Sequence, residues 1–445
     1  MAGMEHTTIL GCGMAGLAAG YYLKRRGFPF TIYERTHRVG GNCVTFEHGD
    51  FSFDSGAHRV HDVDETVTRE LKELLGDELF STAVQSYIFC QGDLIRFPLS
   101  PGNLILRLGP SVFMRAALEV AGGSRGIRTE PKNFAEFAIK AYGPTIAKTF
   151  LLNYSEKLWG VPCSELMASI AGKRLQGIDL KSFVTGFLSA RARGGHMEGP
   201  FLYPSSGIGC IAERLADFCG RERIRTGSKI TSIIHDGGSI TGVEMENDEG
   251  NHAERTERVI STLPLPLFVE MLRPEPPAPV LRAARGLRFR NMVLACFLLD
   301  QERVTRAATV YFPDPEFPFT RVYEPKNRSD FMAPDGRTSL VLEIPCFSDD
   351  PVFRMKDETV IETVLSHMER IGWIRKKRIL DACVHRMEYA YPVLETGSEE
   401  RKKIVLDYLR RFSNLRLSGR GGLFVYAWIH DMMRRGREIA ETFPK

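Results

Sequence analysis

The first fifty residues consist of short apolar runs separated by glycine-rich turns. The apolar run at 7–10 leads directly into Gly11-Cys12-Gly13-Met14-Ala15-Gly16, and apolar residues then recur at helical spacing until about residue 24. A second apolar run at 30–33 ends in Glu34. This order predicts a β-strand, a glycine turn, an α-helix and a second strand, which together open a parallel α/β sheet.

Helical and strand-like spacing form separate blocks along the rest of the chain. Strands of the opening kind return within 200–265 and after 386, helical spacing dominates 86–199, and strands without intervening helices fill 266–385. The pattern predicts the α/β class, with a discontinuous Rossmann-like domain at 1–85, 200–265 and 386–445 that we expect to bind a dinucleotide cofactor. We expect an inserted α+β substrate domain, with a helical part at 86–199 and an antiparallel sheet at 266–385.

The chain ends in another strand, a glycine-rich stretch and a helix. Residues 414–418 predict a strand, Gly419-Arg420-Gly421-Gly422 predicts a turn, and a helix is expected from about Asp431 to Thr442. The N-terminus of this helix could direct backbone N–H groups at a bound ring that gains negative charge on reduction. A plain capping helix is the alternative. We expect the two ends of the chain to meet and to hold one cofactor between them.

The glycines of the opening motif match the needs of a dinucleotide. Gly11 permits a tight turn, Gly13 lets backbone approach a pyrophosphate, and Gly16 allows the helix to pack closely on the strand. The helix N-terminus stabilises the phosphate charge, and Glu34 can accept hydrogen bonds from ribose hydroxyls. A lone G-x-G-x-x-G can be a chance glycine turn, but here both strands, the helix and the acid surround it.

The cofactor of such a motif can be NAD or FAD, and the following loop distinguishes them. Arg38-Val39-Gly40-Gly41-Asn42 comes soon after Glu34 and resembles the continuation found in two-dinucleotide-binding-domain flavoproteins, which favours FAD. A simple Gly-Gly turn is the alternative. We find no second G-x-G-x-x-G in a strand–helix frame, which argues against a built-in NAD(P)H domain.

Composition indicates an ordinary globular protein of two or three domains. The 445 residues are 43% hydrophobic and 26% charged, and the net charge of +4 argues against bulk nucleic-acid binding. Nine dispersed cysteines without a C-x-x-C pair predict reduced thiols, with neither a disulfide framework nor a metal site. No apolar run of 18 residues and no signal-peptide pattern occur, so we expect a cytoplasmic protein.

Two further features each leave more than one interpretation open. His58 follows an alternating run at 51–57, near a strand end where α/β proteins bind ligands, although a single histidine is more often structural. Residues 104–121 are apolar with interspersed arginines, which predicts a helix covering the substrate domain. A peripheral membrane contact or a dimer contact is the alternative for that helix.

Several short motifs recur together along most of the chain. They are G-C-G-M-A-G at 11–16, V-G-G-N at 39–42, G-A-H-R at 56–59, Y-S-E-K-L-W-G at 154–160, T-L-P-L-P at 262–266, P-F-T-R at 318–321, A-Y-P-V at 390–393 and G-R-G-G at 419–422. In these motifs the sequence resembles the superfamily of flavin-containing amine oxidases, protoporphyrinogen oxidases and UDP-galactopyranose mutases. It is most similar to bacterial protoporphyrinogen-oxidase-like flavoproteins.

The resemblance and the opening motif together imply a set of site residues. The residues expected to hold FAD are Gly11, Gly13, Met14, Ala15, Gly16, Glu34, Arg35, Gly40, Gly41, Asn42, His58, Gly419, Arg420, Tyr426, His430 and Asp431. The residues expected at the substrate are Tyr154, Trp159, Arg174, Arg321 and Tyr391, with His58, Arg321 and Tyr391 as the catalytic group. In the mutases the T-R arginine contacts the substrate diphosphate, so Arg321 inherits that hypothesis.

The sequence departs from both subgroups after the G-R-x-G motif. The mutases carry tyrosines followed by an aspartate there, and the oxidase-like proteins carry a tyrosine followed by asparagines. This chain keeps Tyr426 but continues Ala427-Trp428-Ile429-His430-Asp431. The substrate of neither subgroup can therefore be assumed.

The resemblance implies three functions. In the first, an FAD-dependent oxidoreductase takes a hydride from a small, possibly anionic substrate, and oxygen or another external acceptor reoxidises the flavin. In the second, a mutase uses reduced flavin as a nucleophile toward the anomeric carbon of a nucleotide sugar without net redox change. The third is a flavin-binding protein with a structural or partner-binding role. The sequence leaves the oligomeric state open.

Overall fold

The computed structural model describes residues 5–97, 110–123, 130–171 and 199–444. Its helices are α1 (Met14–Arg25), α2 (Glu65–Leu75), α3 (Pro110–Gly123), α4 (Phe134–Ile146), α5 (Asn153–Trp159), α6 (Gly209–Cys219), α7 (Leu265–Glu270), α8 (Ala278–Arg285), α9 (Pro351–Arg354), α10 (Asp357–Arg370), α11 (Ser398–Leu409), α12 (Gly419–Leu423) and α13 (Ile429–Glu441).

The strands are β1 (Thr7–Leu10), β2 (Phe30–Tyr33), β3 (Thr45–His48), β4 (Phe51–Asp54), β5 (Leu79–Thr82), β6 (Ser86–Cys90), β7 (Asp93–Phe97), β8 (Phe201–Pro204), β9 (Ile224–Arg225), β10 (Lys229–His235), β11 (Ile240–Asn247), β12 (Gly250–Arg255), β13 (Arg258–Ser261), β14 (Leu272–Arg273), β15 (Phe289–Leu299), β16 (Val310–Tyr311), β17 (Arg321–Tyr323), β18 (Thr338–Cys346), β19 (Ile379–Pro392) and β20 (Leu415–Leu417).

The opening strand lies at the centre of a five-stranded parallel sheet with the order β20-β13-β1-β2-β9. All four residues of β1 are buried, as expected for a strand covered by helices on both faces. Helices α1 and α6 share one core cluster with Ile9 and Ile260. The sheet draws strands from the start, the middle and the end of the chain, which confirms the Rossmann-like class.

The second large sheet has seven strands, in the order β19-β15-β18-β17-β16-β6-β7. Its pairs are antiparallel except for β16 with β6. Every residue of β15 is buried, since this strand lies between β18 and β19 and is covered on both faces. The antiparallel sheet is confirmed, and the hairpin at 86–97 belongs to it. The exact domain bounds stay a prediction.

The inserted helices lead along the chain into the segment that carries Tyr154 and Trp159. Helix α4 contains a kink at Gly143, where φ is +77° and Pro144 follows. A π-helical turn at 147–152 then leads into α5, which carries Tyr154 and Trp159. Within the ranges that the structure describes, no helix combines the length and apolar content needed to cross a bilayer.

The two ends of the chain meet, as expected. Helix α13 packs on α1 at Gly436, where an added Cβ would lie 2.8 Å from the carbonyl carbon of Ala18. The predicted turn at 419–422 is wrong, because these residues form the short helix α12. The glycines are needed there for close packing, since a Cβ on Gly422 would lie 3.1 Å from the Ser261 carbonyl oxygen.

Candidate functional site

The opening glycine loop is packed too tightly for any other residue. Gly11 has φ +96°, and a Cβ there would lie 2.4 Å from Oγ1 of Thr262. A Cβ on Gly16 would lie 2.0 Å from the Gly11 carbonyl oxygen. Both positions therefore require glycine for backbone geometry and packing, as the motif predicted.

The second glycine pair lies directly against the first loop. Gly13 and Gly40 form a parallel bridge, and a Cβ on Gly41 would lie 3.0 Å from the Cα of Gly13. Helix α1 begins at this point with Gly13 as its N-cap and with no acidic residue in its first turn. Bare backbone and an uncapped helix N-terminus form a cradle that suits a phosphate group.

Glu34 stands at the end of β2, beside this cradle. One carboxylate oxygen accepts a hydrogen bond from the Cys12 backbone N–H at 2.9 Å, and the other accepts from the N–H of Thr36 at 3.0 Å. The Thr36 hydroxyl also donates to Oε1 at 2.9 Å, whereas Oε2 keeps room for a further donor such as a ribose hydroxyl. The neighbouring Arg35 instead forms an ion pair with Glu388 of β19 at 2.6 Å.

The end of the chain closes over the start of α1. A Cβ on Gly419 would lie 2.9 Å from the Cβ of Ala15, so α12 abuts the first turn of α1 next to Met14. Arg420 donates hydrogen bonds to the carbonyl oxygens of Ala390 at 2.9 Å and Ala427 at 2.7 Å. This arginine therefore joins β19 to the segment before α13.

The N-terminus of α13 is capped by its own aspartate. Asp431 accepts a hydrogen bond from the Trp428 backbone N–H at 3.0 Å and pairs with Arg434. His430 is buried and lies against the Trp428 ring, with ring centroids 5.3 Å apart. Both residues lie in the first turn of the helix, where a cofactor role was predicted, and that role stays a prediction.

Asn42 braces an irregular turn of β19. Its amide donates to the carbonyl oxygens of Glu388 at 3.0 Å and Tyr389 at 3.4 Å. Tyr389 has the unusual φ of +52°, and its N–H donates to the Asn291 side chain at 3.0 Å. This bulge immediately precedes Tyr391, so it sets the direction of that side chain.

His58 is held as a neutral imidazole. The Nε2 atom of His58 lies 3.2 Å from the hydroxyl oxygen of Ser55. Because the Ser55 hydroxyl donates its proton to the Asn42 carbonyl oxygen, it accepts from His58, and Nε2 therefore carries the imidazole proton. Desolvation, together with the nearby charges of Arg420 and Arg321, lowers the pKa of His58 from 6.5 to about 3. The side chain therefore does not act as a cation near neutral pH.

Arg321 pairs with a carboxylate that is fully buried. Its Nε donates to Glu343 at 2.6 Å, and its Nη2 donates to the Tyr391 hydroxyl at 2.9 Å. Burial is the largest single effect and lowers the pKa of Arg321, but Glu343 and the tyrosines at 391, 154 and 311 together raise the pKa well above the usual value. The second oxygen of Glu343 accepts the Ala57 N–H at 2.8 Å, which ties the His58 loop to this pair.

Aromatic rings surround the ion pair. Tyr391 and Tyr426 stack with centroids 6.0 Å apart, and Trp159 meets Tyr391 edge-on at 6.0 Å. Tyr154 packs edge-on against Tyr311, the cross-strand neighbour of Arg321. The structure thus brings Tyr154, Trp159, Arg321 and Tyr391 together in one cluster. Arg174 lies outside the described residues.

Residues 14–425 match the family described as flavin containing amine oxidoreductase. The chain belongs to this family.

Known members and structures are similar over nearly the whole chain. A coproporphyrinogen III oxidase of Bacillus subtilis (strain 168) is 21% identical in an alignment 431 positions long that covers 90% of each protein. The crystal structure of reduced UDP-galactopyranose mutase has a TM-score of 0.85 at 20% identity and covers 98% of this chain and 95% of that one. A structure from Exiguobacterium sp. 255-15 with a provisional protoporphyrinogen oxidase assignment has a TM-score of 0.79 at 19% identity, with 99% of each covered.

Membership identifies the chain as one of a family of flavin-dependent enzymes. The cradle at Gly13, Gly40 and Gly41 fits the phosphates of such a cofactor, because a Cβ on Gly41 would close against Gly13. Gly13, Gly40 and Gly41 therefore lie together at this cradle, and the roles of the other expected FAD residues stay predictions.

Sequence reasoning missed two charged residues of this flavoprotein. Glu343 is the single charge in the buried strand β18 and lies directly across from Arg321 in the neighbouring strand. A lone carboxylate within such an apolar run was the signal that could have found it, since buried charges are normally paired. Arg328 is also buried; it lies 4.8 Å from the Tyr323 ring centroid and contributes to the low pKa of His58.

Proposed function

We propose that the protein is an FAD-dependent oxidoreductase that oxidises a small organic substrate by hydride transfer to the flavin. Oxygen or another external acceptor would then reoxidise the cofactor. Family membership supports a flavin enzyme, and similarity to an oxidase over 90% of each chain supports the redox class. Neither of these two arguments depends on the geometry of the side chains around Arg321.

FAD, rather than a shorter flavin, is supported by the arrangement of the opening unit. The cradle can take the pyrophosphate, and Glu34 lies at the end of the adjacent strand, where the adenosine ribose is bound in dinucleotide folds. The first turn of α1 and the start of α13 would then lie on opposite sides of one cofactor. Gly11, Gly13, Gly40 and Gly41 would provide close backbone contacts, and His58, Tyr426 and the 419–431 segment would border the ring.

The single observation that favours oxidation over nucleotide-sugar chemistry is the pairing of Arg321 with Glu343. The arginine charge is already balanced by a carboxylate with no exposed surface. Arg420 has its guanidinium bound to two carbonyl groups and lies beneath Tyr391 and Tyr426. Arg321, Glu343 and Arg420 together carry one net positive charge, which suits a neutral or singly anionic substrate better than a diphosphate.

The bound flavin would supply the hydride-accepting ring, and the side chains would orient the substrate against it. Arg321 donates to the Tyr391 oxygen, which leaves the phenol proton of Tyr391 to be donated elsewhere. Burial raises the pKa of Tyr391, so the phenol stays protonated and can bind a substrate acceptor atom. Trp159 and Tyr426 would hold an unsaturated or planar substrate by ring contacts and exclude water.

A nucleotide-sugar mutase is the second candidate. The supporting observation is that Tyr154, Trp159, Arg321 and Tyr391, which all belong to motifs shared with the mutases, meet in one cluster. A mutase would have to bind its diphosphate with arginines in addition to Arg321, because Glu343 neutralises that one. Arg174 is the sequence-based candidate for that role.

Anaerobic mixing experiments separate the two candidates. The purified yellow protein is mixed without oxygen with amines and porphyrinogen-like compounds, and the flavin absorbance is followed. Bleaching by one of these substrates supports the oxidoreductase. Conversion of a UDP-sugar only after dithionite reduction, with no bleaching by any organic substrate, would support the mutase instead.

An arginine variant sharpens this comparison. If Arg321 bound the substrate diphosphate, Arg321→Lys would strongly weaken the protection that bound UDP gives the flavin against reduction by dithionite. The control Arg370→Lys, which alters an exposed ion pair, would leave this protection unchanged. We expect UDP to give the flavin of the unmodified protein little protection, and we expect the effect of UDP to be the same in both variants. A protein that stays colourless after incubation with FAD would contradict both candidates.

A further inference from the structure

Two cysteines lie directly opposite each other in the seven-stranded sheet. Cys296 in β15 and Cys383 in β19 are cross-strand partners. Cys296 is completely buried, whereas Cys383 is partly exposed. Side chains of directly opposed residues have their Cβ atoms about 4.5–5.5 Å apart, which is near the separation that a disulfide needs.

The strand that carries Cys383 lies at the edge of the sheet. β19 is an edge strand with β15 as its neighbour within the sheet. Irregular pairing interrupts the β15–β19 ladder on both sides of the cysteines, between Arg290 and Met292 and between Leu298 and Leu299. The cysteine pair therefore lies in a short regular segment of the ladder, bounded by two irregularities, at the edge of the sheet.

The surroundings of Cys383 favour its thiolate. A hydrogen bond from the Cys296 thiol is the largest cause that lowers the pKa of Cys383, and contacts with His385 and His48 lower it further. The same contact and burial raise the pKa of Cys296, so one sulfur is the nucleophile and the other the proton donor. His48 lies near the pair, and its hydrogen bond with Asp381 at 2.8 Å raises the pKa of its imidazole.

Two other partly exposed cysteines have the opposite character. Burial raises the pKa of Cys90. Burial and the Glu78 carboxylate raise the pKa of Cys210 to about 11. Like Cys383, these two cysteines are partly exposed, but their raised pKa values keep them protonated as thiols. They therefore serve as internal references for the reactivity of Cys383.

We propose that Cys296 and Cys383 form a redox-responsive thiol pair that a hydroperoxide converts into a cross-strand disulfide. The Cys383 thiolate attacks one peroxide oxygen; the O–O bond breaks, Cys383 becomes a sulfenic acid and hydroxide leaves. The Cys296 sulfur then attacks the Cys383 sulfur, the S–O bond breaks and water leaves with the Cys296 proton. The peroxide gains two electrons, and the two cysteines lose them.

Peroxide treatment followed by peptide mapping tests this pair. The reduced, FAD-incubated protein is treated with a few equivalents of hydrogen peroxide, remaining thiols are alkylated, and the digest is analysed by mass spectrometry. We expect a peptide linking Cys296 to Cys383 that dithiothreitol cleaves, with Cys90 and Cys210 still alkylated. We expect Cys296→Ser to give no link and to accumulate a sulfenic acid at Cys383 that dimedone traps.

Three results would each overturn the proposal. The first is oxidation of Cys383 to higher acids in the unmodified protein without the linked peptide. The second is oxidation of Cys90 or Cys210 at the same rate as Cys383. The third is full alkylation of both cysteines of the pair after peroxide treatment. The unmodified protein alone decides among these results, so a folding defect in the variant leaves the test intact.

Discussion

Arg321 and Glu343 show how single residues organise the candidate site. Glu343 is completely buried and holds both the Arg321 guanidinium and the backbone N–H of Ala57. The pair thereby connects the strand that carries Arg321 to the loop that carries His58. Such a pair is costly to break, because a single substitution leaves one charge buried without its partner.

Glu343→Gln should therefore destabilise the protein. We expect the free energy of unfolding to fall by about 3 kcal/mol, since the Arg321 charge would remain buried and uncompensated. Urea denaturation measures this loss. The matched control is Glu316→Gln, which removes an exposed partner of Arg370 and should cost less than about 1 kcal/mol. Equal losses for both variants would show that Arg321 does not depend on Glu343.

His58 should contribute a pH dependence to stability. Its pKa is about 3 in the folded protein and near 6.5 in the unfolded chain, so the unfolded chain binds the proton first as the pH falls. Stability from this residue is fully present above pH 6.5 and decreases between about pH 6.5 and 3, by up to about 1.4 kcal/mol per pH unit.

The measurement compares urea unfolding of the unmodified protein and His58→Gln between pH 7 and 4. The difference in unfolding free energy between the two proteins should shrink or reverse as the pH falls, because the glutamine cannot take up a proton. Parallel pH profiles would contradict a neutral, desolvated His58.

The sequence anticipated which residues lie in the site better than it anticipated their contacts. Arg321, Tyr391 and Trp159 were found because they belong to recognisable motifs, and the structure brings them together. Glu343 was missed, because its importance comes from the cross-strand register with Arg321, which is a tertiary feature. Asn42 and Arg420 were expected at the cofactor, but both side chains bind backbone carbonyls of β19.

At the scale of elements, close helix packing joins the end of the chain to its beginning. Gly436 lets α13 approach α1 so closely that a Cβ would lie 2.8 Å from the carbonyl carbon of Ala18. Helix α13 also shares one core cluster with α1, through Met433 and Leu17. Contact of the two helices at backbone distance fixes the position of the α13 N-terminus.

Gly436→Val should push these two helices apart. We expect a loss of about 2 kcal/mol in unfolding free energy, because the added methyl groups meet backbone rather than a movable side chain. Glu438→Val is the control, since it places the same side chain on the exposed face of the same helix. Similar urea midpoints for the two variants would be inconsistent with the close packing.

Glycine-rich segments were the elements that sequence patterns resolved least well. The first loop was predicted correctly because a strand and a helix flank it. The pattern at 419–422 predicts a turn, but the stretch is helical and its glycines pack closely against Ser261 and Pro264. Composition alone cannot distinguish a glycine that bends the chain from one that makes room for a neighbour.

At the scale of the whole molecule, one sheet is assembled from distant parts of the chain. β1 lies between β13 and β2, and β20 from the last thirty-five residues completes the edge. The discontinuous architecture was predictable, because strand patterns of one kind return after each insertion. The positions of 98–109, 124–129 and 172–198, which include Arg174, are outside the described residues.

The central claim is that the opening glycine loop and the terminal helix together hold one FAD. Chromatography of the cofactor released by heat, after the protein has been incubated with equal amounts of FAD and FMN and freed of excess, tests it most directly. We expect one FAD per chain and no FMN, because the proposed pyrophosphate cradle and Glu34 would bind the adenosine half. Release of FMN, or of no flavin at all, would contradict it.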